Sequence, residues 1–228
     1  MRSTPEARPS APDREPIRWH DEAASSERCE CSVPAFEHPD PRARAALAEK
    51  IEHDLGETLH FEVAEDEVGG ATLDCRVTAA TRSLVSFVCA SMATRSTRAE
   101  LNEGIGGAPA EETLHAFVYL VDDGAVRTAT LDDVFASSAR ALSALPAIAR
   151  RALERDDELP CPTWSMPALG KDVRFTLDER GLTLHFQRAE YDATPSYECA
   201  AREVHVAYED VTTLVRVDGA FARVRGAD

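Results

Sequence analysis

The alternation of apolar and polar residues is clearest over residues 113–135, TLHAFVYLVDDGAVRTATLDDVF. Two apolar runs flank an Asp-Asp-Gly turn and predict a β-hairpin, because Asp-Gly suits the backbone of a tight turn. Thr130 and Asp133 follow at capping-box spacing and predict a helix start. The stretch therefore predicts strand, turn, strand and helix in that order.

Two longer helices are predicted from apolar periodicity. The first begins at Asp40-Pro41, with Asp at the cap and Pro in the first turn, and ends at Gly56. Its buried stripe recurs every four residues, at Leu47, Ile51 and Leu55. The second covers residues 138–155, and Pro146 is expected to kink or split it.

Strands are predicted wherever apolar residues alternate in short runs. These runs are residues 31–36, 59–63, 71–78, 84–92, a hairpin over 172–187, 202–208 and a last edge strand at 221–224. A short helix is expected at 210–215. Residues 93–112 and 188–201, rich in Gly, Pro and polar residues, are predicted to be exposed loops.

These elements predict an α+β fold in which antiparallel sheets pack against helices. We expect two intimately associated subdomains, residues 29–108 and 109–228, split within the 93–112 loop. Residues 1–28 are rich in Pro, Ser, Arg and Glu and lack the apolar core of a signal peptide. They are predicted to be a disordered leader.

Six cysteines, an even number, favour disulfides and an oxidising compartment over reduced core thiols in the cytoplasm. Cys75 and Cys89 fall on adjacent predicted antiparallel strands, where facing residues are within bridging distance. Cys161 and Cys199 flank the last hairpin and form the second candidate pair. Cys29 and Cys31 are the remaining disulfide candidates. An extracytoplasmic location is therefore expected, with a cytoplasmic one as the alternative.

The net charge of −16, from 41 acidic and 25 basic residues, argues against nucleic acid or an anionic membrane as the partner. It would favour a strongly basic partner, while the simpler interpretation is a surface charged for solubility alone. No apolar run reaches the roughly 18 residues that a membrane-spanning helix needs.

Candidate chemistry is sparse along the chain. Nucleophile-elbow and phosphate-loop motifs are absent, so neither an enzyme nor a cofactor is expected. His185 and His205 lie on neighbouring predicted strands, yet strand histidines are mostly surface residues and no metal is expected. A binding surface is the stronger hypothesis. Its candidates are Tyr191, Pro195 and Tyr197 in one exposed loop, and Trp164. The alternative for Tyr191 and Tyr197 is to cover the edge of the core, and for Trp164 core packing is the favoured interpretation.

The order of four segments carries a family resemblance. They are RSLVSFVCAS (82–91), LDDVF (131–135), FTLDERGLTLHF (175–186) and VHVAYEDV (204–211). Together they resemble the extracytoplasmic domain of the RsiV-type, lysozyme-sensing anti-sigma factors, over about residues 31–217. Similar domains precede the catalytic domain in some peptidoglycan deacetylases and stand alone in secreted proteins and lipoproteins.

The resemblance implies a two-part α+β fold, an extracytoplasmic location and a binding role. In the anti-sigma members this domain binds lysozyme, which exposes the protein to proteolysis. The chain departs from the family after the hairpin, where Tyr191 and Tyr197 are followed by Cys199 and the usual Gly is missing. We expect a non-catalytic recognition domain for a basic protein such as lysozyme, or for a cell-wall component. The alternative is a cell-wall-active hydrolase or its accessory domain.

Overall fold

The computed structural model describes residues 15–26, 29–58, 67–97, 111–158, 161, 164–170, 172–187, 190 and 203–225. The first half of these contains β1 (Trp19–Ser26), β2 (Cys29–Phe36), α1 (Pro41–Thr58), β3 (Glu67–Ala80), β4 (Leu84–Thr97), β5 (Glu111–Asp122) and β6 (Ala125–Thr128). The second half contains α2 (Leu131–Val134), α3 (Ser138–Arg155), β7 (Arg174–Leu177), β8 (Gly181–His185), β9 (Glu203–Ala207), α4 (Tyr208–Val211) and α5 (Ala220–Val224). The predicted α+β class is confirmed.

The strands form two sheets. One has six strands in chain order, β1 to β6, and the other is a three-stranded meander of β7, β8 and β9. Every pairing is antiparallel except that of β2 with β3. That pair is parallel because α1 lies between its strands along the chain and acts as the crossover.

Helix α1 begins as its sequence predicts. The Asp40 carboxylate accepts a hydrogen bond from the Arg42 backbone N–H at 2.9 Å and so caps the first turn. The apolar stripe of α1 packs on one face of the six-stranded sheet. Tyr119 on β5 donates a hydrogen bond to Asp54 at 2.8 Å, and Lys50 pairs with the same carboxylate at 2.7 Å. These contacts fix the position of α1 across the sheet.

The six-stranded sheet separates two hydrophobic cores. Along β4, Val85, Phe87 and Cys89 contribute to the core under α1. Leu84, which precedes Val85 and is in the opposite phase of the strand, contributes to the core on the other face, with α3 and the three-stranded sheet. Successive side chains of a strand point to opposite faces, so one strand supplies both cores.

Polar side chains join the two sheets. The buried Ser86 hydroxyl accepts the Leu177 N–H at 2.9 Å, and the Thr78 hydroxyl donates to the Leu177 carbonyl at 2.9 Å. Leu177 lies on β7, an edge strand whose outward peptide groups have no strand partner among the described residues. Ser86 and Thr78 therefore satisfy backbone groups that would otherwise be buried without hydrogen bonds.

Two predicted irregular segments are partly strand. The leader predicted over residues 1–28 contains β1, and Pro16 bridges to Thr81 just before it. The loop predicted over 93–112 is shorter, because β4 continues to Thr97 and β5 starts at Glu111, with Ala93 opposite Glu111. Both segments show little alternation of apolar and polar residues, so the sequence does not predict them as strands. They are strands because each pairs with a neighbouring strand.

The last element is a helix and not the predicted edge strand at 221–224. α5 covers Ala220–Val224, and Phe221 and Val224, three positions apart, share its buried side. α3 continues through Pro146 without a break, so of the two predicted effects of this proline the split is wrong and the kink stays a prediction. The short helix expected at 210–215 lies earlier, at Tyr208–Val211. The strand predicted at 59–63 and the subdomain boundary at 108 lie outside the described residues.

Candidate binding site

Strand β1 lies at one edge of the six-stranded sheet. The Arg18 carbonyl accepts the Glu37 N–H at 2.8 Å, and the same register continues through His20 opposite Ala35 and Glu22 opposite Val33. Because hydrogen-bonded pairs alternate in an antiparallel ladder, the even-numbered residues of β1 bond to β2. The backbone groups of Trp19, Asp21 and Ala23 therefore point outward. Within the described residues β2 is the only strand paired with β1. Just before β1, the outward Ile17 N–H donates to the Ala80 carbonyl of β3 at 3.1 Å, so the unpaired edge begins after Ile17.

A groove of about 680 Å³ opens between α1 and the β1–β2 hairpin, and we call it the α1 groove. Its floor is apolar and is formed by Val33, Leu47, Ile51 and Leu55. Its rim carries three glutamates, Glu22, Glu37 and Glu52, together with His20 and Arg44. The groove thus offers an apolar contact surface bordered mainly by carboxylates.

Some charged side chains on the rim of the α1 groove already have a partner within the protein, and others do not. Glu37 pairs with Arg18 at 3.1 Å, and the Arg44 guanidinium donates to the His38 carbonyl at 2.9 and 3.1 Å. No described residue forms an ion pair with Glu22 or Glu52, and both are exposed. Two carboxylates are therefore available to a cationic ligand on either side of the apolar floor.

A second cavity of about 690 Å³ lies between the β1–β3 region and the β7–β8 turn, and we call it the Trp19 crevice. Trp19 lines it and is 41% exposed, which is unusual for so large an apolar side chain. Asp178 fixes the turn by accepting the Arg180 and Gly181 N–H groups at 2.8 Å each. Glu179, exposed at the tip of the turn, also lines the crevice.

The predicted Cys75–Cys89 disulfide is confirmed. The two residues face each other on β3 and β4 with Cα atoms 4.0 Å apart. Cys31 and Cys161 each take part in a disulfide as well. All four cysteines with described side chains are therefore oxidised. Cys199 and the side chain of Cys29 are not among the described residues, and the pairing of Cys161 with Cys199 stays a prediction.

The binding residues predicted from the sequence do not form part of this site. Tyr191, Pro195 and Tyr197 lie outside the described residues. Trp164 is 2% exposed and packs in the core beside α3, where Arg150 donates to its carbonyl. The favoured core interpretation of Trp164 is therefore correct, and its indole is not available to a partner.

His185 and His205 are not brought together as metal ligands. His185 is buried, with Nε2 at 2.9 Å from the Thr176 hydroxyl and Nδ1 at 3.4 Å from Glu203. His205 instead lies 3.2 Å from the Thr183 hydroxyl on the exposed face. Among the residues that the structure describes, no three His, Cys, Asp or Glu side chains cluster as metal ligands.

Glu203 links the two sheets. One guanidinium nitrogen of Arg76, on β3, reaches both of its carboxylate oxygens at 2.8 and 2.9 Å. The contact with His185, followed by the hydrogen bonds from Arg76, lowers the pKa of Glu203 to about 2 against the opposing effect of burial. The His185 Nδ1 atom makes no well-aimed hydrogen bond, so Arg76 is the firmer partner. This cluster is structural.

The sequence did not reveal one contact between a potential nucleophile and a base. The Ser91 hydroxyl lies 2.9 Å from His115 Nε2. Burial, and next the nearby Arg174 charge, lowers the pKa of His115 and favours its neutral form. No described carboxylate orients the imidazole. Only the β4–β5 register, with Ser91 opposite Thr113, brings the pair together.

No protein-family model and no curated protein matches this chain. Its structure is similar to that of a DUF3298 family member from Bacteroides fragilis, with a TM-score of 0.53 and 12% identity over 90% of this chain and 96% of that one. A DUF3298 family protein from Pseudomonas aeruginosa matches with a TM-score of 0.46 and 15% identity, over 96% of this chain and 100% of that one.

The Bacteroides protein shows that this chain has the α+β fold of a DUF3298 domain. DUF3298 is the family of the RsiV-type domains, so the α+β class that the sequence resemblance implied is confirmed. At this identity the likeness concerns the fold alone. In the described part of the chain, no helix has both the length and the apolar character needed to cross a bilayer.

Proposed function

We propose that this chain is an extracytoplasmic recognition domain, without catalysis of its own, that binds a basic protein. The α1 groove carries the proposal, because an apolar floor between available carboxylates fits an apolar segment flanked by Lys or Arg. A lysozyme is the natural candidate, since it is the partner in the RsiV-type family that the sequence resembles. A cationic cell-wall component offers similar chemistry.

The charge of the whole molecule supports this partner. A net charge of −16 attracts a cationic protein over several ångströms and raises its association rate. Surface charges are screened over about 8–10 Å at moderate salt. Binding of this kind therefore weakens steeply as the salt concentration rises.

The disulfides support the extracytoplasmic part of the proposal. Such bonds persist in oxidising compartments and are rare in the reducing cytoplasm. Cys31, Cys75, Cys89 and Cys161 are all oxidised, and Cys75–Cys89 lies beside the apolar cluster under α1. An oxidising environment keeps this region of the sheet covalently fixed next to the groove.

The first prediction concerns the groove rim. We expect the double variant Glu22→Gln/Glu52→Gln to bind a lysozyme about tenfold more weakly than the native chain at about 20 mM salt, because two unpaired carboxylates are neutralised. Isothermal titration calorimetry at about 20 mM and about 300 mM salt measures the affinity and its salt dependence.

Glu209→Gln is the control for that experiment. Glu209 is an exposed glutamate on α4, remote in sequence from the groove residues, and its replacement by Gln makes the same chemical change. The control should bind like the native chain. Absence of any lysozyme binding at about 20 mM salt would rule out this partner.

The Ser91–His115 contact is the one observation that favours a cell-wall-active hydrolase instead. A neutral imidazole at 2.9 Å can accept the hydroxyl proton when the serine attacks a carbonyl. Hydrolysis of peptidoglycan fragments by the native chain, abolished in Ser91→Ala and in His115→Gln, would establish this function. If the native chain and Ser91→Ala are equally inactive, the contact is only a structural hydrogen bond.

A further inference from the structure

We propose that the basic partner binds as an added β-strand, with an extended segment pairing along the open edge of β1. The inference rests on the proposed function and specifies its geometry. In this mode main-chain hydrogen bonds supply affinity, and alternate side chains enter cavities on the two faces of the sheet.

The backbone of β1 is prepared for such pairing. The N–H and C=O groups of Trp19, Asp21 and Ala23 point away from β2, as the β1–β2 register requires. β1 is eight residues long and carries none of the proline, lysine or bulge features that commonly protect sheet edges. The opposite edge differs, because β6 is four residues long and contacts α1.

The two cavities lie on opposite faces of this same strand. His20, Glu22 and Ala23 line the α1 groove, which α1 borders, whereas Trp19 lines the Trp19 crevice, which the β7–β8 turn borders. A strand added beside β1 projects its own side chains alternately to these two faces. A single extended segment can therefore reach both cavities at once.

The cavities specify the chemistry of the segment. The α1 groove accepts apolar side chains on its floor of Val33, Leu47 and Ile51. The Trp19 crevice is lined by the partly exposed Trp19 and by Glu179, side chains that suit a Lys or Arg through cation–π and ionic attraction. The segment that fits is one in which apolar and basic residues alternate.

A second copy of this chain is a poor occupant of the edge. β1 carries Asp21 and Glu22 and no Lys or Arg, so two such strands would pair carboxylate-bearing edges. Like charges on adjacent strands destabilise pairing, and each molecule carries a net charge of −16. Charge complementarity thus selects a basic strand over self-association.

The test uses two variants at one position of the full chain. Ala23→Pro removes an outward N–H without touching the β1–β2 ladder, and proline is tolerated at outward edge positions. Ala23→Ser keeps that N–H. A seven-residue peptide of alternating Lys and Val is the probe. We expect Ala23→Pro to bind it about tenfold more weakly than Ala23→Ser, with equal thermal stability.

A second experiment tests the same main-chain hydrogen bonds by changing the peptide and leaving the protein unchanged. Methylation of alternate backbone nitrogens keeps its charge and side chains but removes donors along one edge, and should weaken binding by a similar factor. Hydrogen exchange should slow at Trp19, Asp21 and Ala23 when the unmethylated peptide binds. Should Ala23→Pro unfold, the methylated peptide still decides the question with the native chain.

The outcomes separate this inference from the proposed function. If a lysozyme binds but the two Ala23 variants bind the peptide equally and β1 shows no protection, strand addition is wrong and recognition of a basic protein stands. If the peptide protects β1 but no lysozyme binds, the edge site stands and that partner is wrong. Concentration-dependent dimerisation with slowed exchange in β1 would show that a second copy occupies the edge.

Discussion

At the residue scale, the polar contacts between the sheets depend on a few carboxylates. Glu203 joins β9 to Arg76 on β3, and its pKa of about 2 lies well below the usual value of 4.5. Asp133 holds the α2 start, where burial raises its pKa but hydrogen bonds from Arg127 and Thr130 lower it to about 2 overall. Both carboxylates are therefore more stable when ionised in the fold.

This sets the pH dependence of stability. A carboxyl whose pKa is depressed by folding contributes its full stabilisation above its unfolded pKa, and loses it as the pH falls towards the folded value. For Glu203 the loss extends from about pH 5 down to about pH 2. We expect Glu203→Gln to be less stable than the native chain at pH 7, with the difference shrinking over that window.

Urea unfolding of both proteins between pH 7 and pH 2 measures the difference, and Glu209→Gln controls for the loss of an exposed glutamate. The comparison cancels Asp133, which titrates in the same region in both proteins. A difference between native chain and Glu203→Gln that stays constant over the whole range would show that the Arg76 and His185 contacts do not stabilise the charged form.

At the element scale, the meander depends on close contact between β8 and β9. A Cβ atom added at Gly181 would lie 2.2 Å from the Val206 carbonyl oxygen, which belongs to the backbone of the neighbouring strand. The two strands cannot both keep their positions around such an atom. Gly181 is therefore required by the approach of β9, in a turn that Asp178 also holds.

We expect Gly181→Ala to lower the free energy of unfolding by about 1–3 kcal/mol through this overlap. Gly56→Ala is the matched control, because a Cβ atom there meets nothing within 4 Å and Gly56 lies in α1. Alanine favours a helix over glycine by up to about 1 kcal/mol, so the control should keep or gain stability. Urea unfolding compares the two, and equal effects would contradict the overlap.

At the scale of the whole molecule, the proposed location rests on the oxidised cysteines. All four cysteines with described side chains are oxidised, out of six in the sequence. The net charge of −16 and the unpaired β1 edge are the features on which the proposed basic partner rests.

The corresponding prediction is that all six cysteines form three disulfides. The intact mass of the native chain should rise by about six daltons on denaturation and reduction, since each disulfide gains two hydrogens. Mass spectrometry with and without reductant measures this directly. A rise of about two or four daltons would mean that some thiols are reduced, and no rise at all would contradict the proposed extracytoplasmic location.

The predicted binding surface shows where sequence reasoning stopped. Trp164 is in the core, as its favoured interpretation had it, whereas the exposed tryptophan is Trp19, which lies in the predicted leader and was not a candidate. Neighbouring residues in the sequence could not distinguish them, because burial depends on which elements pack above each side chain. The Ser91–His115 contact was hidden for the same reason, since it depends on strand register.

The sequence by itself determined the α+β class, most of the strands and helices, and the Cys75–Cys89 pair, because periodicity, capping and turn residues act over a few neighbouring positions. Only the tertiary structure decided that β1 joins the sheet edge, that residues 220–224 are helical, and that two cavities lie on either side of β1. Such features arise from contacts between segments far apart in the chain, and local patterns of hydrophobicity do not predict those contacts.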